Sequence, residues 1–188
     1  MDERCLECSL SAAALDEDLA AVESALAEGA DPGAESDCNT ALFHAIETGS
    51  PEIVEALLEA GADLSRRHPI TGETPLTAAL EARQPDAFRA LVRGGADPRT
   101  VSLAPLVRGC DDPEVVRLAG AVGVDVNGSD GETGRTALHE AAIYGYLETV
   151  RCLLASGADK TAQDRWGQTA ATLSRRNGHA EVARALEP

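Results

Sequence analysis

The sequence predicts an all-α solenoid of about six helix-turn-helix units joined by short β-hairpin-like turns. Three observations predict it. The tripeptide Gly-Ala-Asp recurs at Gly29, Gly61, Gly95 and Gly157, with Gly-Val-Asp at Gly123. A Thr followed by Ala or Pro and then by Leu or Ala recurs at Thr40, Thr74, Thr136 and Thr169, spaced by 34 and 33 residues within the two close pairs. Aromatic residues make up 3 % of a chain that is 44 % apolar, so the core is built from Ala, Leu and Val, which suits closely stacked helices.

Each unit reads the same way in chain order. Thr caps a short first helix, its hydroxyl accepting from an early backbone N–H. Pro75 follows Thr74 at the first helical position, where a missing N–H costs nothing. A second helix follows, as in PEIVEALLEAG, where Ile53, Val54, Leu57 and Leu58 fall on one side of a 3.6-residue period. Gly61 or Gly157 then ends that helix, because glycine accepts the left-handed conformation. A polar run such as DLSRRHPITGE crosses to the next Thr.

The stretch GRTALHEAAIYGYLETVRCLLASGADK carries this pattern at almost every fixed position, and the chain resembles the ankyrin repeat, in the form of a bacterial-type stand-alone domain. The resemblance covers nearly all of residues 1–188 as a single domain. It implies an N-terminal capping unit at 5–33, repeats at 34–66, 67–98, 99–128 and 129–161, and a C-terminal capping unit at 162–188. The fourth unit departs from the pattern: Ala104 stands in the Thr slot and Val107 in the His slot. Its inter-helix segment CDDPEVV then reads two residues short, and the preceding turn GGADPRTVSLA is also short.

His139-Glu140 begins a pattern like the zinc-protease H-E-x-x-H, but Ile143 stands where the second His belongs. The resemblance gives His139 a structural slot, bonding within its turn and to the neighbouring repeat; the equivalent positions are Phe43, Thr77, Val107 and Thr172. Cys5 and Cys8 form C-x-x-C without a second pair to complete a zinc site. Cys8 is expected to pack toward the first helix pair, Cys152 to lie in the core, and Cys38 to be exposed. A redox or metal role for Cys5 and Cys8 is the minority reading. Neither GGADPRT nor DVNGSDGETG has a phosphate-loop pattern, so no cofactor and no enzymatic activity are expected.

Net charge is −16, which disfavours nucleic acid and anionic membrane as partners. Residues 1–63 hold 16 acidic side chains against Arg4 alone. The odd count of five cysteines reads as reduced thiols in the cytoplasm, and no apolar run is long enough to span a membrane. Arg outnumbers Lys 15 to 1, which points to a GC-rich, bacterial genome.

The expected function is protein binding by a monomer on a concave surface of hairpin tips and first helices. On the resemblance, the contact positions are Asp37, Asn39, Ile70, Glu73, Glu132, Arg135, Arg165 and Trp166 at the tips. Glu47, Glu81, Asp111, Asp112, Ile143, Tyr144 and Arg176 are the first-helix ends. Trp166, the one Trp, either meets the partner or packs over the C-terminal core. The partner is another protein, and a basic one would be steered to the acidic half. The alternative is an inhibitor or immunity protein that masks a basic toxin or nuclease.

Overall fold

The computed structural model describes residues 6–36, 39–109 and 111–187. Cys5, Asp37, Cys38 and Cys110 lie outside the described residues. Among those described there are twelve α-helices and a two-stranded antiparallel hairpin in which β1 (Glu35–Ser36) pairs with β2 (Asn39–Thr40). The chain forms two compact units, residues 1–97 and 98–188.

The first unit contains α1 (Leu6–Leu15), α2 (Leu19–Ala27), α3 (Ala41–Thr48), α4 (Pro51–Glu59), α5 (Pro75–Glu81) and α6 (Pro85–Arg93). First helices stack on first helices, α1 on α3 and α3 on α5. Second helices do the same, α2 on α4 and α4 on α6. The interfaces are made of small residues beside mid-sized ones: Ala45, Ala79, Ala87 and Ala90 are fully buried with Ile46, Leu57, Leu80 and Leu91. Alanine lets the backbones approach, and the leucines fill the space left. Both Phe residues, Phe43 and Phe88, lie in this core.

The second unit repeats the plan with a 3-10 turn (Pro98–Thr100), α7 (Leu103–Gly109), α8 (Pro113–Val122), α9 (Ala137–Tyr144), α10 (Leu147–Ala155), α11 (Ala170–Arg176) and α12 (Ala180–Leu186). Helix α7 packs on α9 and α9 on α11, while α8 packs on α10 and α10 on α12. Leu103, Leu138, Ala141, Ala142 and Leu153 are buried between them.

Thr40, Thr74, Thr136 and Thr169 each stand at the N-cap of a first helix. Thr40, Thr74 and Thr169 accept from the N–H groups of Phe43, Thr77 and Thr172 at 3.5, 3.3 and 3.3 Å. The fourth unit corrects the sequence reading. Helix α7 begins at Leu103, so Ser102, not Ala104, holds the cap position. From there to the start of α8 is 11 residues, the spacing found from Thr40 to Pro51, Thr74 to Pro85 and Thr136 to Leu147. The inter-helix segment is therefore of ordinary length. The deficit lies in the preceding link: residues 94–102 replace a connection that runs over 60–74 between α4 and α5. The signal was hidden because Pro105 sits at the third helical position. Proline has no N–H, so Ser102 Oγ is buried there without a partner.

Two cysteine expectations are also corrected. Cys8 is exposed, because α1 turns Leu10, Ala13 and Ala14 inward instead. Cys152 is half-buried, since Val150 and Leu153 take the inner face of α10. Both are free thiols.

Candidate protein-binding surface

His139 is held at both ring nitrogens. Its Nε2–H donates to the Gln168 carbonyl at 3.1 Å, an atom that can only accept. Nδ1 is therefore the acceptor, and takes the Thr136 N–H at 3.1 Å and the Thr136 hydroxyl at 3.0 Å. Thr136 and His139 thus form a capping box at the start of α9, the imidazole reaching back to accept the Thr136 N–H. Burial first of all pushes the His139 pKa below its ordinary value, with Arg135 adding to the effect. Neither nitrogen has a lone pair to offer a metal. Among the described residues, no group of three or more His, Cys, Asp or Glu side chains is placed to hold a metal ion.

Next to His139, charged side chains run as a ladder across the second unit. Arg108 Nη2, from α7, meets Asp130 Oδ2 at 2.9 Å and Glu140 Oε1 at 3.0 Å. Arg135 lies 3.9 Å from the same Glu140 oxygen and 3.6 Å from Asp164 Oδ2. Its guanidinium sits over the Trp166 ring, 5.3 Å from the centroid, as a cation–π contact. Glu140 and Asp164 are buried, which a carboxylate tolerates only when paired in this way.

The same acids fix the hairpin tips. Asp164 Oδ1 accepts the Trp166 and Gln168 N–H groups at 3.0 and 2.9 Å. Asp130 accepts from the Thr133 N–H at 2.6 Å, the Thr133 hydroxyl at 2.7–2.8 Å and the Gly134 N–H at 3.0 Å. Burial acts to raise the Asp130 pKa, but these bonds and Arg108 outweigh it and bring it down to about 2. Arg165 ties the two tips together: its N–H donates to Thr133 O at 2.9 Å, and its guanidinium donates to Gly131 O. Trp166 thus projects from a tip with little freedom, and 62 % of it is exposed.

In the first unit the corresponding tip uses His68 in place of Asp. His68 Nδ1 accepts from the Ile70 and Thr71 N–H groups at 3.3 and 3.2 Å, and its ring stands edge-on to Phe43 at 4.9 Å. Ile70 is 75 % exposed at the crest. Glu81 at the end of α5 hydrogen-bonds Glu73 of the tip; desolvation, then the Glu73 contact, push its pKa up to about 7.

The contact positions expected from the sequence fall into two groups. Glu47, Ile70, Glu81, Glu132, Tyr144, Arg165, Trp166 and Arg176 are exposed, while Glu73, Arg135 and Ile143 are half-buried. Tyr144 stacks on Tyr146, ring centroids 5.6 Å apart. Three positions have structural duties instead. Asn39 is a correction: it is buried in β2, its Oδ1 accepting the Thr40 N–H at 2.8 Å. Asp112 caps α8 by accepting the Glu114 N–H at 3.0 Å. Asp111, though exposed, accepts the hydroxyl of buried Thr149 at 2.6 Å. Sequence reasoning missed His68, Arg108, Asp130 and Asp164. A signal existed for the acids, since Asp130 and Asp164 stand 34 residues apart and each lies five or six residues before a Thr cap.

Stacked helix pairs with rigid, side-chain-presenting hairpins define a helical-repeat binding scaffold. The chain belongs to the ankyrin-repeat family: the family model for ankyrin repeats (3 copies) matches residues 10–102 and 106–187. Ankyrin repeats are protein-interaction modules. Among curated relatives, cyclin-dependent kinase 4 inhibitor B of Bos taurus is 31 % identical over 119 residues, 61 % of this chain and 91 % of that protein. Protein PhlB of Serratia liquefaciens is 32 % identical over 147 residues, 73 % of this chain and 64 % of that one. Human NF-kappa-B inhibitor alpha is 34 % identical over 125 residues, but only 32 % of its length is matched. Among solved structures, a chain from the Bd0816 predatory endopeptidase of Bdellovibrio bacteriovorus in complex with immunity protein Bd3460 superposes with a TM-score of 0.67. It is 25 % identical, with 95 % of this chain and 96 % of that chain covered. No helix of the described residues is long and apolar enough to cross a membrane.

Proposed function

We propose that the chain acts as a monomeric, non-catalytic module in the cytoplasm that binds one protein partner through its hairpin tips and first-helix ends. The observation that carries this reading is Trp166: a large aromatic, mostly exposed, on a tip held by buried Asp164 and braced by Arg135. An exposed indole loses little entropy on contact when its backbone is already fixed, and such residues dominate binding energy at interfaces. Tyr144 and Arg165, in the same unit, supply further exposed side chains.

The test is affinity capture from cells that produce the protein, comparing wild type with Trp166→Ala. The reading expects a protein retained by the wild type and lost by the variant. Equal retention by both would remove Trp166 from the contact.

A second reading is an inhibitor or immunity protein for a basic toxin or nuclease. It draws on the relatives named as inhibitors and on the immunity-protein complex. The first unit also carries 20 acidic against 6 basic side chains. Such a field speeds the approach of a cationic partner and is screened by salt. A captured partner whose affinity does not fall between low and physiological salt would count against it.

A further inference from the structure

Around Trp166 the charges are sorted by depth. The carboxylate side chains lie inside: Asp164 is 0 %, Glu140 2 % and Asp130 12 % exposed. The arginines that pair with them lie further out: Arg108 is 44 % and Arg135 24 % exposed. Arg165, next in sequence to Trp166, is exposed and donates to Gly131 O. Asp130 and Glu140 are committed to tip groups or to arginines. Asp164 Oδ1 takes two tip N–H groups, while its Oδ2, buried without a hydrogen bond 3.6 Å from Arg135, is closed to an incoming cation by its burial. Arg108 and Arg165, each with five N–H donors in a fixed fork, keep edges turned to solvent, while Arg135 is half-buried with its Nε inside. The charged side chains turned to solvent around Trp166 are therefore mainly guanidinium groups.

We infer that the Trp166 tip, with Arg165, Arg135 and Arg108, docks an acidic segment of a partner protein, one that presents a carboxylate beside an apolar or aromatic side chain. The proposal rests on the reading of Trp166 as a contact residue and adds the chemistry of what it contacts. The apolar side chain packs on the exposed part of the indole. The carboxylate takes the free edge of Arg165 or Arg108, where bidentate pairing gives the strongest charge-assisted hydrogen bonds. Glu132, exposed on the neighbouring tip, opposes this and sets the local selectivity.

The chain holds a single Trp, so its fluorescence reports on this tip alone. The probes are three short labelled peptides with the same Phe and Leu positions, filled in with Glu and Asp, with Gln and Asn, or with Lys, added to the full chain. The acidic peptide is expected to change Trp166 emission saturably and to bind up to about fivefold tighter than the neutral one, from one exposed charge pair. The Lys peptide is expected to give no change. Arg165→Gln weakens the acidic peptide about fivefold, Glu132→Gln tightens it, and Trp166→Ala, read by peptide anisotropy, weakens it about thirtyfold. Equal emission changes with all three peptides would overturn the acidic chemistry while leaving Trp166 as a contact. Preference for the Lys peptide, or no response to any, overturns the proposal. Acidic-peptide binding untouched by Trp166→Ala overturns both the proposal and the contact reading beneath it.

Discussion

His139 is buried and Trp166 is mostly exposed. His139 spends every polar atom on structure, so His139→Ala leaves the Thr136 N–H and the Gln168 carbonyl short of partners inside the protein. The expected loss is about 1–3 kcal/mol in a urea titration. Its folded pKa lies below its ordinary value of 6.5, so its neutral form is favoured by folding. Stability should therefore fall as pH drops below about 6.5. His139→Gln should flatten that slope, and a slope unchanged by the substitution would count against the assignment. Glu81 works with the opposite sign. Its pKa is raised to about 7, so the folded state favours the proton, and stability present below pH 4.5 is lost as pH rises through 7. Glu81→Gln should remove that loss. Trp166→Ala, by contrast, removes a mostly exposed side chain and its Arg135 contact, and should leave the unfolding free energy within about 1 kcal/mol of wild type.

At the scale of the element, the caps and turns set the differences. Thr74→Ala removes a hydroxyl that accepts the Thr77 N–H and should cost about 1 kcal/mol. Ser102→Ala removes a buried hydroxyl that has no partner, so it should be neutral or stabilising. A cost of 1 kcal/mol at Ser102 would mean that it caps α7 after all. Gly145 ends α9 at φ +80, and a Cβ there would run into the His179 ring, whose Nε2–H donates to Ile143 O at 2.9 Å. Gly145→Ala should cost about 2 kcal/mol, part from the left-handed backbone and part from displacing His179. His179→Ala should relieve the second part, so a double-mutant cycle should show coupling. Gln84 lies over Gly49 in the first unit in the same way, its amide donating to Glu47 O.

For the whole molecule, helix pairs and their order were legible in the sequence because capping Thr, terminal Gly and apolar period agree in most units. The fourth unit misled because the Thr slot was placed at Ala104, whereas Ser102 is the residue that precedes α7. Exposure of the tips was legible at Ile70 and Trp166, where large apolar side chains occur in otherwise polar turns. The ladder from Arg108 to Trp166 was not, because it joins residues from successive repeats that only stacking brings together. The charge asymmetry was plain in the composition. It falls mainly on the first unit, whose net charge is −14 against −2 for the second.

The central claim is that the protein meets its partner at the Trp166 tip and leaves the outward side of the second helices free. A photo-cross-linking amino acid placed at position 166, and separately at exposed Glu148 in α10, measures this in the producing cells. A protein adduct from position 166 and none from 148 is the result expected. Adducts from 148 with none from 166 would contradict it.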